Sequence, residues 1–124
     1  MILGIHHATF ISSDLACSRD FYEGLLGLQP DPRRPLMSFE GVWYDVAANQ
    51  QIHLMSLPDP DAGAQRPLHG GRDRHVAFMV EDVKALAAHL LSAGVAFTLS
   101  QSGRQALFCR DPDGNALEFI QAQP

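Results

Sequence analysis

A chain of 124 residues that is 46% hydrophobic and 19% charged has enough apolar material to bury a core, and its composition argues against wholesale disorder. The formal net charge of -5, with nine basic residues placed mostly in loops, argues against a nucleic-acid footprint. No apolar run approaches membrane-spanning length, and the opening Met-Ile-Leu-Gly-Ile-His-His lacks the pattern of a secretory signal, so the expected location is the cytoplasm. Cys17 and Cys109 do not make a disulfide framework. Both read as buried free thiols, with Cys17, near an expected helix start, an outside candidate for a nucleophile.

In chain order, the β-forming residues from Ile5 to Ile11 predict a strand that stops at Ser12-Ser13-Asp14, a cluster suited to cap a helix. The helix is expected to run to about Leu26, with Phe21, Tyr22 and Leu25 on one face and Gly27 as its left-handed terminator. Strands follow near Leu36–Phe39, Val42–Val46 and Gln51–Ser56, and residues 58–73, rich in Pro, Asp, Gly and Arg, read as a linker. The segment from Arg74 to Val80 predicts another strand, capped by Asp82. Val83, Leu86, Ala87, Leu90 and Leu91 then form a helical stripe that Gly94 ends. Strands near Phe97–Ser100, Ala106–Arg110 and Ala116–Gln121 complete the chain, the last two joined by the turn Asp111-Pro112-Asp113-Gly114-Asn115.

The chain is written twice. His7, Phe10, Asp14 and Leu15 recur as His75, Phe78, Asp82 and Val83, a constant offset of 68 residues, and Ile52-His53-Leu54 is answered by Leu117-Glu118-Phe119 at 65. Two copies of one βαβββ unit follow, an α+β layout with module one at 1–57 and module two at 74–124. Alternation along strands assigns Phe10, Phe78, Ile52, Leu54, Leu117 and Phe119 to the faces that carry the helices. His7, His53, His75 and Glu118 then all face away from the helices at repeat-related places. If the copies pack about a pseudo-twofold axis, these four side chains converge on one point. Three imidazoles and a carboxylate suit Zn²⁺, Ni²⁺, Fe²⁺, Co²⁺ or Mn²⁺, and so few protein ligands leave positions open for substrate. A lone strand histidine is ordinarily a hydrogen-bonded or half-exposed residue, and His6, His69 and His89 are read that way. The same-face neighbours Thr9, Ile11, Gln51, Met55, Ala77, Met79 and Ile120 are the expected wall of a mostly apolar substrate pocket. Trp43, Tyr44, Arg104 and Arg110 could reach its rim, with core packing the expected role of the two aromatics and solvated turns that of the arginines.

The opening His7-x-x-Phe-x-x-x-Asp14-Leu15 with Phe21-Tyr22-x-x-Leu25-Leu26-Gly27-Leu28, and the ending Asp111-Pro112-Asp113-Gly114-Asn115-x-Leu117-Glu118-Phe119, resemble the vicinal oxygen chelate superfamily over nearly the whole chain. That family includes glyoxalase I, fosfomycin-resistance thiol transferases, extradiol dioxygenases and bleomycin-binding proteins. The resemblance implies two modules making a cupped mixed sheet with helices outside, and a metal held by the first and last strands of each module, here His7, His53, His75 and Glu118. It also implies a homodimer in which His7 and His53 of one chain share a site with His75 and Glu118 of the other. His53 stands where bacterial glyoxalase I looks to have a glutamate, and Ile11 where it has an arginine for the glutathione carboxylate, so glutathione chemistry is not implied. The expected function is metal-dependent lyase or isomerase chemistry on a small α-oxo or α-hydroxy carbonyl compound, with Glu118 as ligand and as candidate base. The alternatives are Fe²⁺ ring cleavage using His7, His75 and Glu118, or antibiotic binding without catalysis.

Overall fold

The computed structural model describes residues 1–123; Pro124, the end of module two as read from the sequence, lies outside the described residues. The chain divides into two compact units, Met1–Ala62 and the part from Gly63 onward.

In the first unit, β1 (His7–Ser12) leads into helix α1 (Leu15–Arg19), which widens into a π-helical segment at Asp20–Leu25. The strands β2 (Gln29–Pro30), β3 (Gly41–Ala47) and β4 (Gln50–Ser56) follow, and the sheet order is β1-β4-β3-β2. β1 and β4 are parallel and the remaining pairs antiparallel. Asp14 caps α1 by accepting from the Cys17 amide at 3.1 Å. Gly27, at a φ of 76°, ends the helical segment in the left-handed region that glycine enters without strain. The helical segment buries the adjacent rings of Phe21 and Tyr22, and Tyr22 lies between Phe10 and Tyr44 at centroid distances of 6.2 and 5.9 Å. Val42, Tyr44, Ile52 and Leu54 complete this core.

The second unit repeats the plan. β5 (His75–Val80), helix α2 (Val83–Ser92), β6 (Phe97–Leu99), β7 (Ala106–Arg110) and β8 (Ala116–Gln121) form a sheet of order β5-β8-β7-β6, with β5 and β8 parallel. Asp82 caps α2 by accepting from the Ala85 amide at 3.0 Å. Val83 and Leu90 are buried with Leu107, Leu117 and Phe119, and Phe78 stacks on Phe119 at 5.5 Å. The duplication extends to the ladder rungs, because Thr9 pairs with His53 as Ala77 pairs with Glu118.

Several expectations are corrected. Residues 36–39 are not a strand; the short edge strand forms earlier, at Gln29–Pro30, where it pairs with Asp45 and Tyr44. The π-helical segment was not legible, and Leu91, placed on the buried stripe of α2, is 74% exposed. Cys17 is exposed, and Cys109 alone is the buried thiol, its pKa pushed up to about 12 chiefly by burial. The segment read as a linker contains a 3₁₀ turn at Gly70–Arg72, and a Cβ at Gly70 would meet the Cβ atoms of Ala116 and Phe108 at 3.3 Å. No helix among the described residues is long and apolar enough to cross a membrane.

Candidate functional site

On β4, Ile52 and Leu54 fill the core, and the alternation turns Gln51, His53 and Met55 to the opposite face. Register then sets Thr9 and Trp43 on either side of His53, and His7 and Asp45 on either side of Gln51. The His53 imidazole lies between two rings, His7 at 4.0 Å and Trp43 at 4.4 Å, both close to parallel with it. Burial is the first reason that its pKa falls to about 4, and the neighbouring His7 and His6 add to the effect. His53 is therefore neutral near pH 7, with one ring nitrogen bearing a lone pair.

Hydrogen bonding decides which nitrogen that is. The Gln51 amide nitrogen donates to Asp31 Oδ2 at 2.8 Å and to Asp45 Oδ1 at 2.9 Å. Two carboxylates only accept, so the amide must present its NH₂ to them and its Oε1 to His53 Nε2, 2.8 Å away. His53 Nε2 consequently carries the proton and Nδ1 the lone pair. Arg33 fixes the start of this chain through paired bonds to Asp31 of 2.9 and 3.0 Å, and these bonds hold the Asp31 carboxyl far below the usual carboxylate range.

The second unit has its own pair. His75 Nδ1 lies 2.8 Å from the backbone oxygen of Asp73, an acceptor, so Nδ1 donates and Nε2 carries the lone pair of the neutral ring. Asp73 is itself held by Arg110 at 2.8 Å and Arg66 at 3.3 Å. His75 Nε2 is 3.2 Å from Oε1 of Glu118, which is only 2% exposed. Two acceptor atoms face each other there, and a cation, whether proton or metal ion, belongs between them. Arg104 Nη2 approaches the other oxygen, Oε2, at 3.3 Å.

The donor set suits a divalent metal. Bonds of ~2.0–2.2 Å at tetrahedral or octahedral angles put two ligand atoms roughly 2.8–3.6 Å apart, and the His75–Glu118 separation of 3.2 Å lies in that range. Both histidines with a fixed tautomer also give their second ring N–H to a protein acceptor, as metal-bound imidazoles ordinarily do. His7 fits less directly, since its exposed ring is parallel to His53 and its Nδ1 lies 2.8 Å from His6 Nδ1. Among the described residues no three His, Cys, Asp or Glu side chains gather into a ready metal cage; each unit contributes one pair of the four expected donors.

Of the expected pocket wall, Thr9, Ile11 and Met55 lie on the His53 side of the first sheet, and Ala77, Met79 and Ile120 on the Glu118 side of the second. Gln51 is less a wall residue than the orienting partner of His53. Met79 is 81% exposed. Trp43, expected to pack in the core, instead stacks on His53, on the face opposite the buried Val42 and Tyr44. Tyr44 is a core residue as expected. His6 is exposed, with its Nδ1 2.8 Å from Nδ1 of His7. Arg110 is a structural clamp rather than a solvated turn residue, bonding Asp73, the Gly114 oxygen and the Pro67 oxygen. His69 bonds Thr98 Oγ1 at 2.7 Å and packs edge-on against Phe108.

Comparison with known proteins bears on the family and the fold. The profile of the Glyoxalase/Bleomycin resistance protein/Dioxygenase superfamily matches residues 4–119. The uncharacterized protein YaeR of Escherichia coli is 36% identical, with 94% of this chain and 95% of YaeR covered. Glyoxylase I 4 of Arabidopsis thaliana is 26% identical over 95% of this chain and 70% of its own. Among solved structures, the fosfomycin resistance protein FosX of Listeria monocytogenes superposes with a TM-score of 0.78 at 17% identity, covering 99% of this chain and 94% of FosX. A full-length profile match, a relative above a third identical and a shared fold together place the chain in the Glyoxalase/Bleomycin resistance protein/Dioxygenase superfamily.

Proposed function

We propose that this protein is a divalent-metal-dependent lyase or isomerase acting on a small α-oxo or α-hydroxy carbonyl compound. Its metal ligands are His7, His53, His75 and Glu118. The observation that carries the reading is the buried Glu118 carboxylate, whose Oε1 is 3.2 Å from the lone-pair nitrogen of His75. The donor pairs come from different units, and in this reading a homodimer supplies His7 and His53 from one protomer and His75 and Glu118 from its partner. The apolar side chains that one chain leaves exposed, Ile2, Leu3, Ile5 and Met79 among them, support pairing of two copies.

A bound divalent ion supplies Lewis acidity to vicinal substrate oxygens, lowering the cost of removing a proton α to the carbonyl. The chain's own residues do the rest. Glu118 offers a carboxylate that ligates through one oxygen and can accept the proton. Gln51 and the Asp73 oxygen hold the two imidazoles in their ligating tautomers. Thr9, Ile11, Met55, Ala77, Met79 and Ile120 present a largely apolar wall that limits water. An iron-dependent ring cleavage would need only His7, His75 and Glu118; the buried, oriented His53 favours the set of four.

Metal analysis of the purified protein, with His53→Ala and Glu118→Gln beside it, tests the proposal. Near one ion per site in the wild type, lost from both folded variants, is the expected result. Retention of the ion by both variants, or small-ligand binding that survives complete chelation, would overturn it.

A further inference from the structure

The turn between β6 and β7 brings one cation to the buried carboxylate. Ser100 and Ser102 bond each other through their hydroxyls at 2.8 Å, and Ser102 Oγ accepts from both the backbone amide and Nε of Arg104, at 3.4 and 3.3 Å. The side chain so held reaches Glu118 Oε2 with Nη2 at 3.3 Å while remaining 58% exposed. Its Nη1 has no partner among the described residues. The contact with Glu118 is longer than the ~2.7–2.9 Å of a tight charge-assisted bond, so the guanidinium is tethered without being consumed. Glu118 thus has one oxygen toward His75 and the other toward a cation that stands half in solvent.

We propose that Arg104 is a specificity-determining residue which selects substrates carrying a carboxylate on the chelating carbon, so that α-hydroxy or α-oxo acids are preferred over neutral ketones. The inference rests on the metal-centred reading above. An α-hydroxy acid would chelate through its hydroxyl and one carboxylate oxygen, leaving the second carboxylate oxygen for Arg104, whose Nη2 is 3.3 Å from Glu118 Oε2, whereas a hydroxyketone would leave only an alkyl group there. The planar guanidinium has donors left to pair a second carboxylate, and at that position a neutral carbonyl substituent gains no charge-assisted bond.

The test uses the full-length protein loaded with Zn²⁺ and followed by NMR titration, with lactate as the α-hydroxy acid and hydroxyacetone as its neutral counterpart. Arg104→Gln should weaken lactate binding on the order of tenfold, while hydroxyacetone binding stays within about twofold and zinc content is unchanged. Arg104→Lys, which keeps the charge and loses the fork, should recover part of the lactate affinity. Lactate binding unchanged in Arg104→Gln with zinc retained overturns this inference alone. Loss of zinc from Arg104→Gln also overturns it, by showing that the arginine only supports Glu118. A wild type that takes up no zinc removes the metal-centred reading, and this inference with it.

Discussion

Replacing Gln51 with leucine removes the amide that sets the His53 tautomer while keeping the side chain close in size. His53 is 8% exposed, so its Nε2–H would lose its acceptor in a place water reaches poorly. Leaving such a donor unsatisfied costs about 1–3 kcal/mol. Asp31 keeps its bonds from Arg33, and Asp45 is exposed enough to return to water, so the penalty concentrates on the histidine. Loss of an orienting partner behind a metal-bound imidazole typically weakens metal affinity by about 10–100-fold. Long-range ¹H–¹⁵N NMR of His53, read with Zn²⁺ competition against a chelator, measures both effects. Gln51→Leu should give a mixed tautomer and the weaker zinc affinity. Gln51→Glu restores an acceptor for Nε2–H but sets a third carboxylate against Asp31 and Asp45, so it should keep the tautomer while losing stability. The reasoning is refuted if Gln51→Leu keeps the proton on Nε2 and binds zinc within twofold of wild type.

The metal-free protein should lose stability as pH falls. His53 has a folded pKa of about 4 against 6.5 for the free side chain, so between those values the unfolded chain binds more protons and acid favours it. The loss is about 3 kcal/mol at most by pH 4, a part that His53→Gln should abolish in urea denaturation followed across this range. Tyr44 is fully buried with its hydroxyl donating to Glu23 at 2.7 Å, and Arg19 holds the same carboxylate. Tyr44→Phe should therefore cost about 1–2 kcal/mol in chemical denaturation, with zinc affinity unaltered; a change in zinc affinity would contradict its placement in the core.

Much of the fold was legible because duplication supplies each pattern twice. Asp14 and Asp82 cap equivalent helices, Gly27 and Gly94 end them at φ values of 76° and 73°, and the parallel pairs β1–β4 and β5–β8 share a register. Where the copies diverge, the reading failed. Residues 36–39 have no paired counterpart, and the edge strand at Gln29–Pro30 is two residues long, too short for any periodicity to register. The π-helical turn at Asp20–Leu25 leaves no mark in composition, because the backbone bond from Leu26 to Phe21 depends on how Phe21 and Tyr22 seat in the core.

The candidate site divides the same way. Parity places His53 and Glu118 on equivalent rungs facing away from the helices, since Ile52, Leu54, Leu117 and Phe119 must be buried. What stands behind each donor does not repeat. Two residues before His53 is Gln51, which ties the imidazole to Asp31 and Asp45, whereas two residues before Glu118 is Ala116, whose side chain has no polar atom. On that side the Asp73 backbone oxygen, just ahead of β5, orients His75, and Arg104 reaches Glu118 from the turn between β6 and β7. A duplicated pattern can therefore mark where donors fall, because burial of the neighbouring apolar residues forces their facing. The groups that orient those donors are chosen by contacts between segments distant in sequence, Asp31 with Gln51 and Arg104 with Glu118, and no local period encodes such contacts. It follows that the two donor pairs should respond differently to mutation. Loss of the Gln51 amide should weaken metal binding by the His53 pair, whereas loss of the Arg104 guanidinium should leave metal binding by the His75–Glu118 pair unchanged.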